Sequence, residues 1–388
     1  MKILHVVPTY VPAYRYGGPI RSVHGLCKAL AEAGHEVHVC TTNVDGPLNT
    51  EVELGKPVDV EGVKVWYFPS TFLRRLYYSP SLENFLRAHV AEFDIAHIHA
   101  IFSWVAWRAA RECRFRGIPY IISPRGMLIR DLIMKKNKVL KNLWIGLLER
   151  KNIEKSAAVH FTTEIEKREF LKFGLKSGRL FVIPNGIVPE DGLKPPPSSV
   201  SPKLAEAASK PFVLFVGRVH WVKGLDRLIP AMSRVRGARL VIAGNDPEDY
   251  EKKMRRLADV CGVGDRVEFV GAVNDNEKRF LYSRSRVFVL PSYSENFGNV
   301  VLEAMAEGCP VVVTPEVGLS DFVRACGGGL VPKGDPDEIG KAVSSLFTDP
   351  EQASSMGRAG KQAVEKRFSW KKIAAEAEEM YERSTPHD

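Results

Sequence analysis

The run Arg286-Val287-Phe288-Val289-Leu290-Pro291-Ser292, an apolar strand pattern, leads through Tyr293 and Ser294 into Glu295-Asn296-Phe297-Gly298-Asn299-Val300-Val301-Leu302-Glu303. The spacing predicts a helix that begins near Gly298. Its first backbone N–H groups have no partner within the helix, and its positive dipole end faces the space above the strand's carboxyl edge, which favours a phosphate. Glu295 falls in the loop before the helix, while Glu303 falls about one and a half turns inside it. Both carboxylates can accept hydrogen bonds from hydroxyls, one from a sugar and the other from a pair such as a ribose diol. A glutamate taken alone is usually just solvated. An anion site with a hydroxyl acceptor on either side describes a place for a sugar nucleotide.

The same alternation of short Val- and Ile-rich runs with helical patterns extends along the whole chain, and predicts βαβ units on parallel sheets. The first half supplies strands at Ile3–Val7, Glu36–Thr41, Val63–Phe68, Ile95–His99, Tyr120–Ser123, Ala158–Phe161 and Leu180–Ile183. The second half supplies Phe212–Val216, Arg239–Ala243, Arg266–Val270, Val287–Leu290, Val311–Thr314 and Leu330–Val331. At 388 residues the chain exceeds what one core normally supports, so each half reads as its own doubly wound domain. Pro195-Pro196-Pro197-Ser198-Ser199 has the composition of an exposed linker. The expected domains are 1–190, with a final helix 369–388 returning to it through Trp370 and Tyr381, and 191–368. In open α/β sheets ligands bind outside the carboxyl ends of the strands, so the expected site is a cleft between two such domains, with the linker as hinge.

Composition narrows the classes. With 45% hydrophobic and 26% charged residues the chain reads as an ordinary globular protein, and no apolar run reaches the length of a bilayer span. Met1-Lys2-Ile3-Leu4-His5-Val6-Val7 is too short and too interrupted for a signal peptide and reads as a first strand, so the expected location is cytoplasmic. The six cysteines form no C-x-x-C pair, which suggests buried thiols rather than zinc or disulfides. The net charge of +9 suits nucleic acid, an anionic membrane surface or acidic small molecules.

Other residues carry chemistry. Gly217-Arg218-Val219-His220-Trp221-Val222-Lys223-Gly224 follows the first strand of the second half. Arg218 and Lys223, between flanking glycines, could clamp a diphosphate from two directions; a solvated basic loop is the alternative. Tyr16-Gly17-Gly18-Pro19 precedes a helix in the first half and either approaches a phosphate or sugar or simply turns. His97 and His99 point to one face of a strand, but with no third ligand identifiable they read as a strand-end feature rather than a metal site. Asp335-Pro336-Asp337 reads as a helix N-cap, so no metal is assigned. Neither Gly-x-Ser-x-Gly nor a phosphate-loop lysine motif occurs.

Taken together, the Glu295…Glu303 pair, the Arg218…Lys223 loop, Gly17-Gly18, Ile183-Pro184-Asn185-Gly186 and Gly271 after Phe269 resemble glycosyltransferase family 4 over nearly the whole chain. The resemblance implies the GT-B fold of two Rossmann-like domains facing across a cleft, and transfer that retains anomeric configuration and uses no metal. By that resemblance Arg218 and Lys223 hold the donor diphosphate, Glu295 the transferred sugar and Glu303 the ribose. Backbone of Phe297, Gly298, Asn299 and Val300 meets sugar and phosphate, the segment Gly271–Val273 meets the base, Gly217 lies in the diphosphate loop, and Gly17 and Gly18 close over the donor. The expected donor is a uridine diphosphate sugar and the expected acceptor a glycan or lipid-linked glycan of polysaccharide biosynthesis. Many relatives carry a histidine where this chain has Arg125-Gly126, and an arginine cannot serve as a base. It could stabilise the departing phosphate or bind an anionic acceptor.

The segment from Arg125 to Lys151 carries Arg130, Lys135, Lys136, Lys138, Lys141, Arg150 and Lys151 beside Leu140, Leu143, Trp144, Leu147 and Leu148. It suits an anionic membrane surface, hence a peripheral location at the inner face; a core-facing helix with a solvated basic back is the alternative. Two rival functions remain: a GT-B epimerase acting on the nucleotide sugar alone, and nucleic-acid binding, which no aromatic-lined basic repeat or helix-turn-helix pattern supports.

Overall fold

The computed structural model describes residues 1–129, 138–187, 196 and 199–385. The proposed linker residues 188–195, 197 and 198, and the basic residues Arg130, Lys135 and Lys136, lie outside the described residues. The chain forms two compact units, one of Met1–Gly186 with Trp370–Asp388 and the other of Ile187–Ser369.

Among the described residues of the first unit ten strands form: β1 Lys2–Thr9, β2 Glu36–Thr42, β3 Val44–Asp45, β4 Leu48–Asn49, β5 Pro57–Val60, β6 Val63–Phe68, β7 Ile95–His99, β8 Tyr120–Ser123, β9 Ala158–Phe161 and β10 Leu180–Val182. Eight make one sheet in the order β10-β9-β8-β7-β1-β2-β6-β5, and β3 pairs with β4 alone. Because side chains alternate across a strand, Leu4, Val6, Ile98, Ile122 and Val159 enter one core layer while Ile3, Val37, Val39, Ile95, Ile121 and Ala158 enter the other. The second layer is covered by the helix Gly18–Glu32, through Val23, Leu26 and Leu30, and by the helix Trp370–Ser384, through Ile373, Ala377, Met380 and Tyr381. The Trp370 ring fills the space that two missing side chains leave: a Cβ at Gly25 would lie 2.2 Å from its Cζ2, and one at Gly186 2.5 Å from its Cδ2.

The edge departs from the all-parallel expectation. β5 runs antiparallel to β6, joined through Glu61 and Gly62. Both residues have positive φ, 53° and 82°, the conformation that a two-residue hairpin requires. Pro57 lacks a donor for a further strand, which suits a sheet edge.

Among its described residues the second unit has six parallel strands: β11 Phe212–Val216, β12 Arg239–Ala243, β13 Val267–Gly271, β14 Val287–Leu290, β15 Val311–Val313 and β16 Gly329–Leu330. Their order is β13-β12-β11-β14-β15-β16. The strands β11, β14 and β15 are wholly apolar because both sheet faces are covered there, whereas Arg239 opening β12 and Glu268 in the edge strand β13 pair with each other at 2.8 Å. The chain winds outward from β11 to β13, jumps back, and winds the other way from β14 to β16. That reversal leaves a crevice at the carboxyl ends of β11 and β14, where ligands of such sheets bind.

Candidate functional site

Two loops line the switch point of the second unit. The loop leaving β11 holds Gly217, Arg218, a short turn at Trp221–Lys223, and Gly224. The loop leaving β14 holds Glu295, Phe297 and Gly298, and the helix Asn299–Ala306 then begins with Gly298 as its N-cap. Gly224 has φ 72°, and a Cβ there would lie 2.0 Å from the Pro291 carbonyl oxygen, so glycine is what lets one loop pack on the other. Gly298 has φ 96°, with Val317, Val301 and Glu295 side chains crowding the same spot.

Lys223 is ion-paired with Glu295, and their side chains are only 15% and 19% exposed. Glu295 is also pinned through its backbone, its N–H donating to the Glu316 carbonyl at 3.1 Å and its carbonyl accepting from Gly318 N–H at 2.9 Å. Arg218 is exposed and, among the described residues, makes no hydrogen bond or ion pair. Of the two cations expected to clamp a diphosphate, one is thus held by the Glu295 carboxylate and the other points to solvent.

A second pair occupies the helix. Lys278 Nζ lies 3.0 Å from Glu303 Oε2 and 3.0 Å from Asp275 Oδ1, and the Tyr282 hydroxyl donates to Glu303 Oε2 at 3.1 Å. Burial, and then the Glu303 carboxylate, hold the Tyr282 hydroxyl far above its ordinary pKa, so it stays a donor. Lys278 and Tyr282 come from the helix Asp275–Arg284 and escaped the sequence reading, because nothing in their spacing relates them to Glu303. Gly271 ends β13, its carbonyl accepting from Gly244 N–H at 2.7 Å. Val273 is partly exposed just before the Asn274–Glu277 capping box. Asn299 and Val300 are partly exposed, whereas the Phe297 side chain is buried against Phe368, so Phe297 offers only backbone to a ligand. The Asp335 carboxylate caps its helix, accepting from the N–H groups of Asp337 and Glu338.

In the first unit the sheet reverses between β1 and β7. Gly17 caps the helix that starts at Gly18. The reading of His97 and His99 as an isolated pair is corrected here. His5 on β1 and His160 on β9 stand on the same face, all four rings are buried, and ring nitrogens of His5, His97 and His99 lie within 4.8 Å of one another. The hydrogen bonds fix the tautomers. His160 Nε2 donates to the Ile183 carbonyl at 2.8 Å, so its Nδ1 accepts from His97 Nε2 at 3.2 Å, and His97 Nδ1 accepts from the Tyr381 hydroxyl at 2.9 Å. Arg125 donates to His99 Nδ1 at 3.2 Å, so His99 Nε2 donates to His5 Nδ1 at 2.9 Å. His5 Nε2 then carries a hydrogen that, among the described residues, finds no acceptor. Burial, with Arg125 alongside, lowers the pKa of His5 to about 3; burial lowers His160 to about 3 as well, and holds His97 and His99 well below 6.5. The four rings are neutral, and a dication among His5, His97 and His99 would meet a guanidinium rather than a carboxylate.

The chain is similar to known proteins over nearly its whole length. Residues 16–191 match the family described as Glycosyltransferase Family 4, and residues 199–363 match that described as Glycosyl transferases group 1. An uncharacterized glycosyltransferase of Methanocaldococcus jannaschii is 30% identical over 98% of this chain and 98% of its own. A GDP-mannose-dependent alpha-(1-6)-phosphatidylinositol monomannoside mannosyltransferase of Mycobacterium tuberculosis is 32% identical over 81% of this chain and 82% of its own. Among solved structures, Anabaena HepE in complex with UDP-glucose superposes with a TM-score of 0.76 at 20% identity, over 98% of this chain and 100% of that one.

Proposed function

The chain belongs to glycosyltransferase family 4 and has the GT-B fold, and on that premise we propose that it moves a sugar from a nucleoside diphosphate donor to a glycan or lipid-linked glycan with retention of configuration. The observation that carries the reading is the pairing of Lys223 with Glu295 and of Lys278 with Glu303 at the carboxyl ends of the second unit's strands. A diphosphate entering there meets Lys223 and Arg218. The sugar then lies against Glu295 and the ribose against Glu303.

In the proposed step the acceptor oxygen bonds to the anomeric carbon as the bond from that carbon to the phosphate oxygen breaks. The electron pair leaves with the diphosphate, which takes the acceptor's proton on the same face. Positive charge from Lys223 and Arg218 stabilises the charge that builds on the leaving phosphate, without a metal.

A uridine diphosphate sugar is the donor that the motif resemblance favours. The GDP-mannose dependence of the mycobacterial relative supports a guanosine donor as the second reading. The test is to incubate the protein with UDP-, GDP- and ADP-sugars, with and without glycan or lipid-linked acceptors and in the presence of EDTA, and to follow released nucleotide. Acceptor-dependent release of one nucleotide is expected. Donor conversion without acceptor would instead reveal an epimerase, and release only after a divalent ion is restored would contradict metal-free transfer.

A peripheral membrane seat is part of the proposal. In the helical segment 138–154 the inward face is Ile145, Glu149 and Ile153, not the leucine stripe, while Val139 (81% exposed), Leu143 (54%) and Leu147 (70%) project outward near Lys141, Arg150 and Lys151. The Glu149 carboxylate is buried, accepting from Trp144 Nε1 at 2.9 Å and from Phe102 N–H at 3.2 Å, which anchors the segment. An outward apolar ridge beside basic residues fits an anionic bilayer surface. Among the described residues no helix is long and apolar enough to cross a membrane. Flotation with vesicles containing anionic lipid should carry the protein, and a Leu143→Glu/Leu147→Glu variant should stay behind. Equal flotation of both would remove this seat.

A further inference from the structure

We propose that Arg125 anchors an oxyanion site in the first unit, one that takes a phosphate or carboxylate group borne by the acceptor; this rests on the glycosyltransferase reading above. Arg125 sits two residues past the end of β8, with φ 53°, a left-handed conformation unusual for a non-glycine residue. Its Nη1 donates to Asn185 Oδ1 at 2.8 Å, and its Nε and Nη2 approach His99 Nδ1 at 3.4 and 3.2 Å.

Both partners are neutral. The tautomer chain running from His99 to His5 leaves no site from which a negative charge could come. Among the described residues Arg125 makes no ion pair. The carboxylate of Glu166 accepts from Gly126 N–H at 2.5 Å and from the Thr162 N–H at 2.8 Å and hydroxyl at 3.0 Å. Glu166 therefore acts on Arg125 only through space, the two making no ion pair among the described residues, so the cost of partly burying the guanidinium is offset in part by Glu166 and further when an anion reaches it directly.

The remaining valence fits that role. A guanidinium has five N–H donors, and His99 and Asn185 engage three of them, which leaves two for a ligand. Arg125 is also partly exposed, so a ligand can reach it. The imidazole chain and Asn185 hold the fork in one orientation, which suits bidentate capture of an oxyanion. The donor's diphosphate has its own cations, Lys223 and Arg218, in the second unit, so the group left for Arg125 is one that the acceptor brings.

The test is calorimetric titration with glucose 6-phosphate, inorganic phosphate and glucose, each with UDP present at saturation. Wild type should bind glucose 6-phosphate about tenfold or more tighter than glucose, the scale of charge-assisted hydrogen bonds. Arg125→Gln should erase that preference and Arg125→Lys should keep part of it, with UDP affinity in both within about twofold of wild type. Phosphate binding that survives in Arg125→Gln, or that disappears from wild type once UDP saturates, would overturn the assignment, the second by tracing the anion to the donor site. If Arg125→Gln does not fold, wild type still decides: phosphate must shift the imidazole NMR signals of His99 and His5, and signals that ignore phosphate overturn the proposal. Failure to bind any nucleotide would count separately, against the donor reading.

Discussion

Replacing Lys223 with alanine is expected to lower kcat by roughly 10²–10³, the scale seen when a preorganised donor to a developing anion is removed, or about 3–4 kcal/mol of transition-state stabilisation. Lys223 is expected to matter more than the exposed Arg218 because it is already placed. Its ammonium is held by Glu295, whose backbone is fixed by Glu316 and Gly318. A diphosphate therefore meets a cation that needs little reorganisation, and its arrival frees Glu295 to accept from the sugar. The loss should fall chiefly on kcat, since charge on the leaving phosphate grows as the bond breaks. Steady-state kinetics with the preferred donor checks this, and unchanged turnover in Lys223→Ala would remove Lys223 from the chemistry.

Acid should unfold the first unit at unusually mild pH. His5, His97, His99 and His160 are neutral in the folded state, their pKa values lowered by burial to about 3 for His5 and His160 and well below 6.5 for the others. An unfolded histidine titrates near 6.5. Below that pH the unfolded chain binds protons that the folded chain excludes, so stability is complete above about 6.5 and falls as pH drops towards 3. Each ring contributes up to about 1.4 kcal/mol per pH unit, so four contribute on the order of 5 kcal/mol per unit. Since an unfolded histidine is already half protonated at pH 6.5, a drop to pH 5 would remove up to about 6–7 kcal/mol, comparable with the whole stability of a domain. Thermal melts between pH 8 and 5 should show a steep fall in Tm below about pH 6, and His160→Gln should reduce the slope by about one proton. A Tm that stays level down to pH 5 would contradict the neutral cluster.

The fold was legible because buried parallel strands announce themselves. Runs such as Phe212–Val216 and Val287–Leu290 have no polar residue to disguise them, and their ends agree with the structure to the residue. What escaped was β5, whose Pro57-Val58-Asp59-Val60 looks like loop until the Glu61-Gly62 turn folds it back on β6. The site divides along the same line. Glu295, Lys223 and Arg218 follow strands directly, so local pattern alone puts them at the carboxyl edge. Lys278 and Tyr282 reach Glu303 from another helix, and His5 and His160 reach His97 and His99 across neighbouring strands. Those contacts depend on sheet order, which periodicity within a single strand does not encode. In the segment 141–153 the phase was not legible either: with a single π-turn at Ile145–Glu149, Ile145, Glu149 and Ile153 turn inward while Leu143 and Leu147 stay outward.

The central claim is that the second unit binds a nucleoside diphosphate through Lys223 and its neighbours. Titration calorimetry of wild type and Lys223→Ala with UDP and with GDP, in EDTA, tests it most directly. The account predicts that one nucleotide binds wild type at a single site and that Lys223→Ala binds it about tenfold or more weakly, as loss of a charge-assisted contact implies. Absence of heat with both nucleotides, or equal affinity in the two proteins, would contradict it.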